Sequence, residues 1–129
     1  MLPVYGAAYT IMLGTKELND NYNDMMAQIA GGEIPSAKLK EMHVLCSGLK
    51  ALNTWRANRT LDELKQCAGG HGFLLVSGLG FQHKTYNANV TLEGDNTVMM
   101  QQTARFLAKE FGTAVSGQPL KHGSTQFFA

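Results

Sequence analysis

The sequence predicts an all-α protein built from two long helices, a glycine-rich loop and one shorter helix. Apolar residues recur at spacings of three and four along two long proline-free stretches, which is the period of an amphipathic helix. Each proline stands where a helix can begin or end: Pro3, Pro35 and Pro119. Paired glycines follow both long stretches, as expected where a left-handed residue closes a helix.

The first helix is predicted from about Val4 to Ala30, and it ends at Gly31-Gly32. Its apolar residues mark one face at spacings of three, four or multiples of these. The members of this face are Tyr5, Tyr9, Met12, Tyr22, Met25 and Ile29.

The second helix is predicted to start at Ser36, whose hydroxyl suits a helix cap after Pro35. An apolar stripe continues along it at helical spacing. The stripe consists of Met42, Leu45, Leu49, Leu52, Trp55, Leu61, Leu64 and Ala68. The polar run Asn58-Arg59-Thr60 predicts a kink or a split, and Gly69-Gly70 predicts the end.

Between residues 72 and 92 the helical periodicity fails. The run 73–76 reads as a short strand, and residues 77–80 read as a loop. The third helix is predicted from a cap at Asp95 or Asn96 to about Gly112. We therefore assign residues 1–117 to one helical domain and residues 118–129 to a C-terminal tail.

The composition excludes several classes of function. Hydrophobic residues make up 44% and charged residues 16% of the chain, which is typical of a globular protein. A net charge of +1 gives no basic patch for nucleic acid. No run approaches the roughly 20 apolar residues of a membrane span. The histidines lack the spacing of metal ligands, so we expect no metal site. Three helices cannot bury all their apolar faces, so we expect a partner chain or a dimer to complete the bundle.

Two segments hold residues suited to chemistry. A helix running into Gly69, Gly70 and Gly72 lets a bulky ligand approach the backbone, and the amides can bind an anion. Glu93 precedes the flexible Gly94 and a helix N-terminus, where an apolar cleft would raise the pKa of a carboxyl toward that of a useful base. Taken separately, the first segment also reads as a simple helix stop, and the second as a solvated loop acid.

The order and spacing of five sequence blocks resemble the acyl-CoA oxidase family from about residue 2 to residue 117. The block that begins at Glu93 is the most specific of them. The blocks are His43-x-x-x-x-Gly48-Leu49-Lys50-Ala51, Thr54-Trp55-x-Ala57-Asn58, Gly69-Gly70-His71-Gly72-Phe73, Ser77-Gly78-Leu79, and Glu93-Gly94-Asp95-Asn96-Thr97-Val98-Met99-Met100-x-Gln102-Thr103-Ala104-Arg105-Phe106-Leu107. The fold implied is part of the helical bundle of the acyl-CoA dehydrogenase and oxidase superfamily.

The resemblance implies a reaction and a set of site residues. Family members oxidise fatty acyl-CoA to trans-2-enoyl-CoA, with FAD as hydride acceptor and oxygen as the source of hydrogen peroxide. Glu93 occupies the position of the family's catalytic base, which removes the α-proton. The residues implied at the adenine dinucleotide of FAD are Gln66, Gly69, Gly70, Gly72, Asp95, Asn96 and Thr97.

Acyl-CoA oxidases are several times longer than this chain, and their other domains hold the flavin ring and much of the substrate. We therefore expect one of three roles. The chain is one part of a split oxidase, a structural subunit of a larger assembly, or a module that binds only nucleotide or CoA. A peroxisomal location is expected from the family alone, because the C-terminal residues do not match the Ser-Lys-Leu address. A mitochondrial or cytoplasmic location stays open as an alternative.

Overall fold

The computed structural model of the chain describes residues 2–32 and 36–128, and it confirms the all-α class. The α-helices in these ranges are α1 (Leu2–Ala30), α2 (Ser36–Cys67), α3 (Leu79–Asn87) and α4 (Asn96–Val115). Short 3-10 helices occupy Gly69–Phe73, Leu75–Ser77, Ala88–Val90 and Gly123–Phe128. No β-strand occurs within the described ranges.

Both long helices have the predicted positions. The amide of Gly32 donates to the carbonyl of Ile29 at 3.0 Å, and Gly32 has φ of 90°, so a glycine closes α1 as predicted. Pro35 lies outside the described residues, and Ser36 is the first residue of α2. The helix α2 continues through residues 58–60, so the predicted split there is wrong. Asparagine, arginine and threonine only weaken a helix slightly, whereas glycine or proline breaks one.

The segment from 72 to 92 differs most from the prediction. The strand predicted at 73–76 is wrong, because Phe73 ends one 3-10 helix, Leu75 and Val76 begin the next, and Leu74 lies between them. The helix α3 was not predicted, since none of its residues is buried and it therefore carries no apolar period. It begins directly after Gly78, which has φ of 70°. A glycine adopts this left-handed conformation without strain, so the chain can reverse there into α3.

The start of α4 agrees with the prediction, but its end does not. The carboxylate of Asp95 accepts a hydrogen bond from the amide of Thr97 at 2.9 Å, so Asp95 is the cap. The helix continues past Gly112 to Val115, because a single glycine weakens a helix without ending it.

The chain forms two compact units, residues 1–49 with 100–129, and residues 50–99. In the first unit Met25 and Met42 are buried, and Thr125 is fully buried within the Gly123–Phe128 helix. The carboxylate of Glu41 accepts the amide of Ser124 at 2.6 Å, which ties this C-terminal helix to α2. The predicted boundary at residue 117 stays a prediction.

The first unit also contains a groove of about 520 Å³ between α1, α2 and the C-terminal 3-10 helix. Apolar side chains of α1 and α2 line it, together with the charged Glu17, Lys38 and Glu41. Many large apolar side chains elsewhere remain exposed, among them Tyr9 and Trp55. Apolar side chains on the described helices thus remain uncovered. None of the described helices is long and apolar enough to cross a membrane.

Candidate functional site

Glu93 lies in a tight turn of the second unit, between the Ala88–Val90 helix and α4. Among the described residues it is the one non-glycine residue with positive φ, at 59°, and Gly94 follows with φ of 110°. A residue with a Cβ occupies this region only where its surroundings hold it there, and such positions cluster at functional sites. The Glu93 side chain is exposed, so its carboxylate is accessible to a second molecule.

The ammonium group of Lys50 holds this turn. Its Nζ donates to the carbonyl oxygen of Gly94 at 2.6 Å and to Oδ1 of Asn96 at 2.8 Å. A longer contact of 3.5 Å reaches the carbonyl oxygen of Val90. A lysine ammonium has three protons to donate. Lys50 therefore uses them on both sides of Glu93.

Asn96 links the turn to α2 through its side-chain amide. It is fully buried, and its Nδ2 donates to Oγ1 of Thr54 at 2.8 Å and to the carbonyl oxygen of Ala51 at 3.3 Å. Thr54 lies one helical turn after Lys50, so both side chains stand on one face of α2. Both N–H donors and the oxygen of the Asn96 side-chain amide thus have partners within this unit. Any contact of Asn96 with a cofactor would therefore use its backbone groups.

The N-terminus of α4 already has an acidic cap. Because the carboxylate of Asp95 accepts the Thr97 amide, one of the free donors of the first turn is occupied. Thr97 itself is exposed. A phosphate at this helix terminus would compete with the Asp95 carboxylate for the same donor.

The glycines after α2 differ from one another in what surrounds them. Gly69, with φ of 58°, and Gly70 have open space where a Cβ would stand. Gly72 is buried, and a Cβ there would collide with the backbone carbonyl of Lys65. Gly69 and Gly70 therefore present bare backbone to solvent, whereas Gly72 allows close packing on the end of α2.

The Lys65 ammonium links the end of α2 to α3 and to the glycine segment through His83 and Phe73. The Lys65 Nζ lies 3.0 Å from the Asp62 carboxylate, 3.4 Å from Nδ1 of His83, and 5.2 Å from the centre of the Phe73 ring. The Gln66 amide donates to the same carboxylate at 2.9 Å. The hydrogen bond from Lys65 lowers the pKa of Asp62 below its ordinary value of 3.8.

The structure thus distributes the predicted site residues over two segments of one compact unit. Glu93, Asp95, Asn96 and Thr97 share the turn before α4, and Gln66 lies with the three glycines at the end of α2. Lys50 and Thr54 were not among the predicted site residues, although both lie in sequence blocks that carry the family resemblance. Their spacing of four residues on a predicted helix was the available signal.

Comparisons with known proteins show the family that the sequence blocks resemble. The family model for the C-alpha1 domain of acyl-CoA oxidase matches residues 1–108. Peroxisomal acyl-coenzyme A oxidase 1 of Cavia porcellus is 37% identical over 127 residues, which cover 98% of this chain. The human protein of the same name is 35% identical over 92% of this chain, and the acyl-coenzyme A oxidase of Eremothecium gossypii is 31% identical over 92%.

The matched region is a small part of each relative. It covers 19% of the Cavia porcellus protein, 18% of the human protein and 17% of the Eremothecium gossypii protein. The chain therefore spans about a fifth of the length of these curated relatives.

Proposed function

Because the chain belongs to the acyl-CoA oxidase family through its C-alpha1 domain, we propose that it forms part of a FAD-dependent acyl-CoA oxidase. In this proposal, other chains supply the domains that hold the flavin ring and most of the substrate. The reaction converts a fatty acyl-CoA and oxygen to trans-2-enoyl-CoA and hydrogen peroxide, which is a step of fatty acid β-oxidation. By the names of several of these relatives, the proposed location is the peroxisome.

The observation that carries the proposal is the conformation of Glu93. A hydrogen-bonded turn holds the backbone of Glu93 at positive φ, immediately before the N-terminus of α4, and the Glu93 carboxylate is accessible. Its proposed role is to accept the α-proton of the acyl-CoA at a carboxylate oxygen, which requires an approach of about 3 Å. Because Glu93 is exposed, the apolar surroundings of a working base would have to come from outside the described residues.

The open backbone at Gly69 and Gly70 supports a place for the adenine dinucleotide of FAD. No side chain stands above these glycines, and the neighbouring Gln66 is exposed. Gly72 would support this site through close packing on α2, and the residues after Glu93 would contribute backbone groups. The flavin, when bound, accepts the hydride from the β-carbon of the substrate.

The exposed apolar side chains support the proposed partner chains. Leu75 and Val76 are 91% and 89% exposed, and Phe73 and Phe81 of the same unit are 65% and 69% exposed. Large exposed apolar side chains concentrated in one short stretch of the chain, here residues 73–81, favour a protein interface. The proposal requires that another oxidase chain covers it.

Coexpression with the remaining domains of an oxidase tests the proposal. We expect a complex with bound flavin that forms peroxide from a fatty acyl-CoA. Glu93→Gln should reduce turnover by roughly a hundredfold to ten-thousandfold, the usual contribution of a general base, without loss of flavin. Glu63→Gln removes an exposed carboxylate from the same compact unit and should leave turnover unchanged. Equal activity in the Glu93→Gln and unmutated complexes would contradict the proposed base.

A second candidate is a non-catalytic structural subunit, derived from an oxidase fragment, within a larger assembly. The observation in its favour is that Gly72, Asp95 and Asn96 have packing or capping contacts that account for them without a cofactor. This alternative predicts that the chain purified from its native source carries no flavin. It also predicts that Glu93→Gln leaves its attachment to other proteins intact.

A further inference from the structure

Lys50 bonds to the backbone on both sides of Glu93, although it lies more than 40 residues earlier in the chain. We propose that Lys50 is a positioning residue for the Glu93 carboxylate. This inference rests on the proposed function, in which Glu93 is the base. It assigns to Lys50 no contact with substrate or cofactor, and its effect passes through the backbone of the turn.

The contacts of Lys50 bracket the turn. The carbonyl of Gly94 immediately follows Glu93 and accepts from Nζ at 2.6 Å, and the carbonyl of Val90 precedes the turn at 3.5 Å. The third acceptor is Oδ1 of Asn96 at 2.8 Å. One ammonium group therefore joins the beginning of the turn, its end and the first residue of α4.

All three partners of Lys50 are neutral oxygens. The interaction is therefore a set of charge-assisted hydrogen bonds and not an ion pair, and such bonds are stronger and shorter than neutral ones. Lys50 is half-buried, so water could replace its hydrogen bonds only in part if the ammonium group were removed. A shape-matched residue without donors would leave the carbonyl of Gly94 without its closest partner.

The Lys50 contacts stabilise a backbone conformation that is unfavourable by itself. Glu93 and Gly94 both have positive φ, which is unfavourable for a residue with a Cβ. Thr91 and Leu92 are exposed, and Leu92 retains 57% of its accessible surface, so these two side chains do not fix the turn. The Met99 side chain packs against Gly94 from within α4. Release of the Lys50 contacts would let the Glu93 backbone relax and would move its carboxylate away from the reacting carbon.

Amide hydrogen exchange on the full chain tests whether Lys50 stabilises the Glu93 turn, without any enzyme assay. The reporters are the amides of Leu92, bonded to the Ala88 carbonyl at 2.9 Å, and of Thr97, bonded to Asp95 at 2.9 Å. Lys50→Met should accelerate their exchange about tenfold or more, as expected for loss of a charge-assisted hydrogen bond. The Ala68 amide, bonded to Leu64 in the same unit, is the internal reference.

Two further variants make this measurement decisive. Lys40→Met is the matched control, since Lys40 is an exposed lysine on the same helix, and it should leave both reporters unchanged. Lys50→Arg keeps a cation with N–H donors at a different reach, so it should remain folded and give a smaller acceleration. Unchanged exchange in both Lys50 variants would overturn the inference.

Turnover in the coexpressed complex tests whether the Lys50 hydrogen bonds position the Glu93 carboxylate for proton transfer. Lys50→Met should lower kcat roughly tenfold to a hundredfold, the effect of a misplaced reacting group, with little change in KM. Lys50→Arg should recover part of this loss. Full turnover in Lys50→Met would overturn the positioning role. Absence of Glu93-dependent turnover in the unmutated complex would instead defeat the proposed function, and hydrogen exchange would still decide whether Lys50 holds the turn.

Discussion

The turn that carries Glu93 and the glycine segment after α2 belong to the same compact unit, but they are stabilised differently. Polar groups of α2 stabilise the turn. Lys50 and Thr54 both bond to the Asn96 side chain, and Lys50 also bonds to the backbone on either side of Glu93. The segment from Gly69 to Ser77 is anchored at Gly72 and exposes most of Leu75 and Val76. Contacts within this unit thus set the geometry of the candidate base, whereas the apolar side chains of the glycine segment stay exposed.

The largest expected effect comes from the anchor of the glycine segment. Gly72→Ala places a methyl group against the backbone carbonyl of Lys65, which cannot move without distorting the end of α2. We expect a loss of about 2–3 kcal/mol in the free energy of unfolding, typical of an overpacked site. Urea denaturation followed by circular dichroism measures it.

Gly70→Ala is the matched control for this prediction. Nothing stands within 4 Å of a Cβ at Gly70, so its effect on the free energy of unfolding should stay below about 1 kcal/mol. Equal losses in the two variants would show that Gly72 is not the anchor of the segment.

The next effect tests the polar network of the Glu93 turn. Asn96→Ala removes the fully buried amide and leaves the Ala51 carbonyl and the Lys50 ammonium short of partners. We expect a loss of about 1–2 kcal/mol in the free energy of unfolding, the penalty for buried polar groups without partners. Denaturant unfolding is again the measurement. Asn87→Ala, at an exposed asparagine of the same unit, should change the free energy of unfolding by less than about 0.5 kcal/mol.

A smaller effect on stability is expected from the exposed end of the glycine segment. Leu75→Ser combined with Val76→Ser should change the free energy of unfolding by less than about 0.5 kcal/mol, because both side chains already face water. The variant should bind less of a dye that fluoresces on apolar surfaces. Met42→Ala, at a buried position, should instead cost about 2 kcal/mol or more. A large loss of stability in the double variant would mean that the segment packs within the chain.

The smallest effect concerns the ion pair of Asp62 and Lys65. Since folding lowers the pKa of Asp62, its contribution to stability is present above the ordinary pKa of 3.8 and is lost as the pH falls through the folded value. Asp62→Asn should therefore have a slightly lower Tm than the unmutated chain at neutral pH. The difference should vanish in acid below the folded pKa, and thermal unfolding across this range measures it. A Tm difference that grew on acidification would contradict the assignment.

Long-range polar contacts were the part of the site that the sequence could not predict. Local chemistry predicted a cap of α4 at Asp95 or Asn96, and the structure identifies Asp95, whose carboxylate accepts the amide two residues later. The roles of Lys50 and Asn96 depend on a contact across 46 residues of chain, which no local pattern reports. The helix α3 escaped prediction for a related reason, since a helix with no buried residue leaves no apolar period to read.

By itself, the sequence determined the helical class, the positions of α1 and α2, the glycine that closes α1, the capped start of α4 and the family resemblance. These features depend on spacings of three or four residues or on single residues with special backbone preferences, so they are readable along the chain. Only the tertiary structure decided that Glu93 adopts a positive φ, that Gly72 packs on α2 while Gly69 and Gly70 stay open, and that Lys50 holds the turn. Each of these depends on atoms brought together from distant positions, where the burial of polar groups and the exclusion of a Cβ are set by neighbours in space.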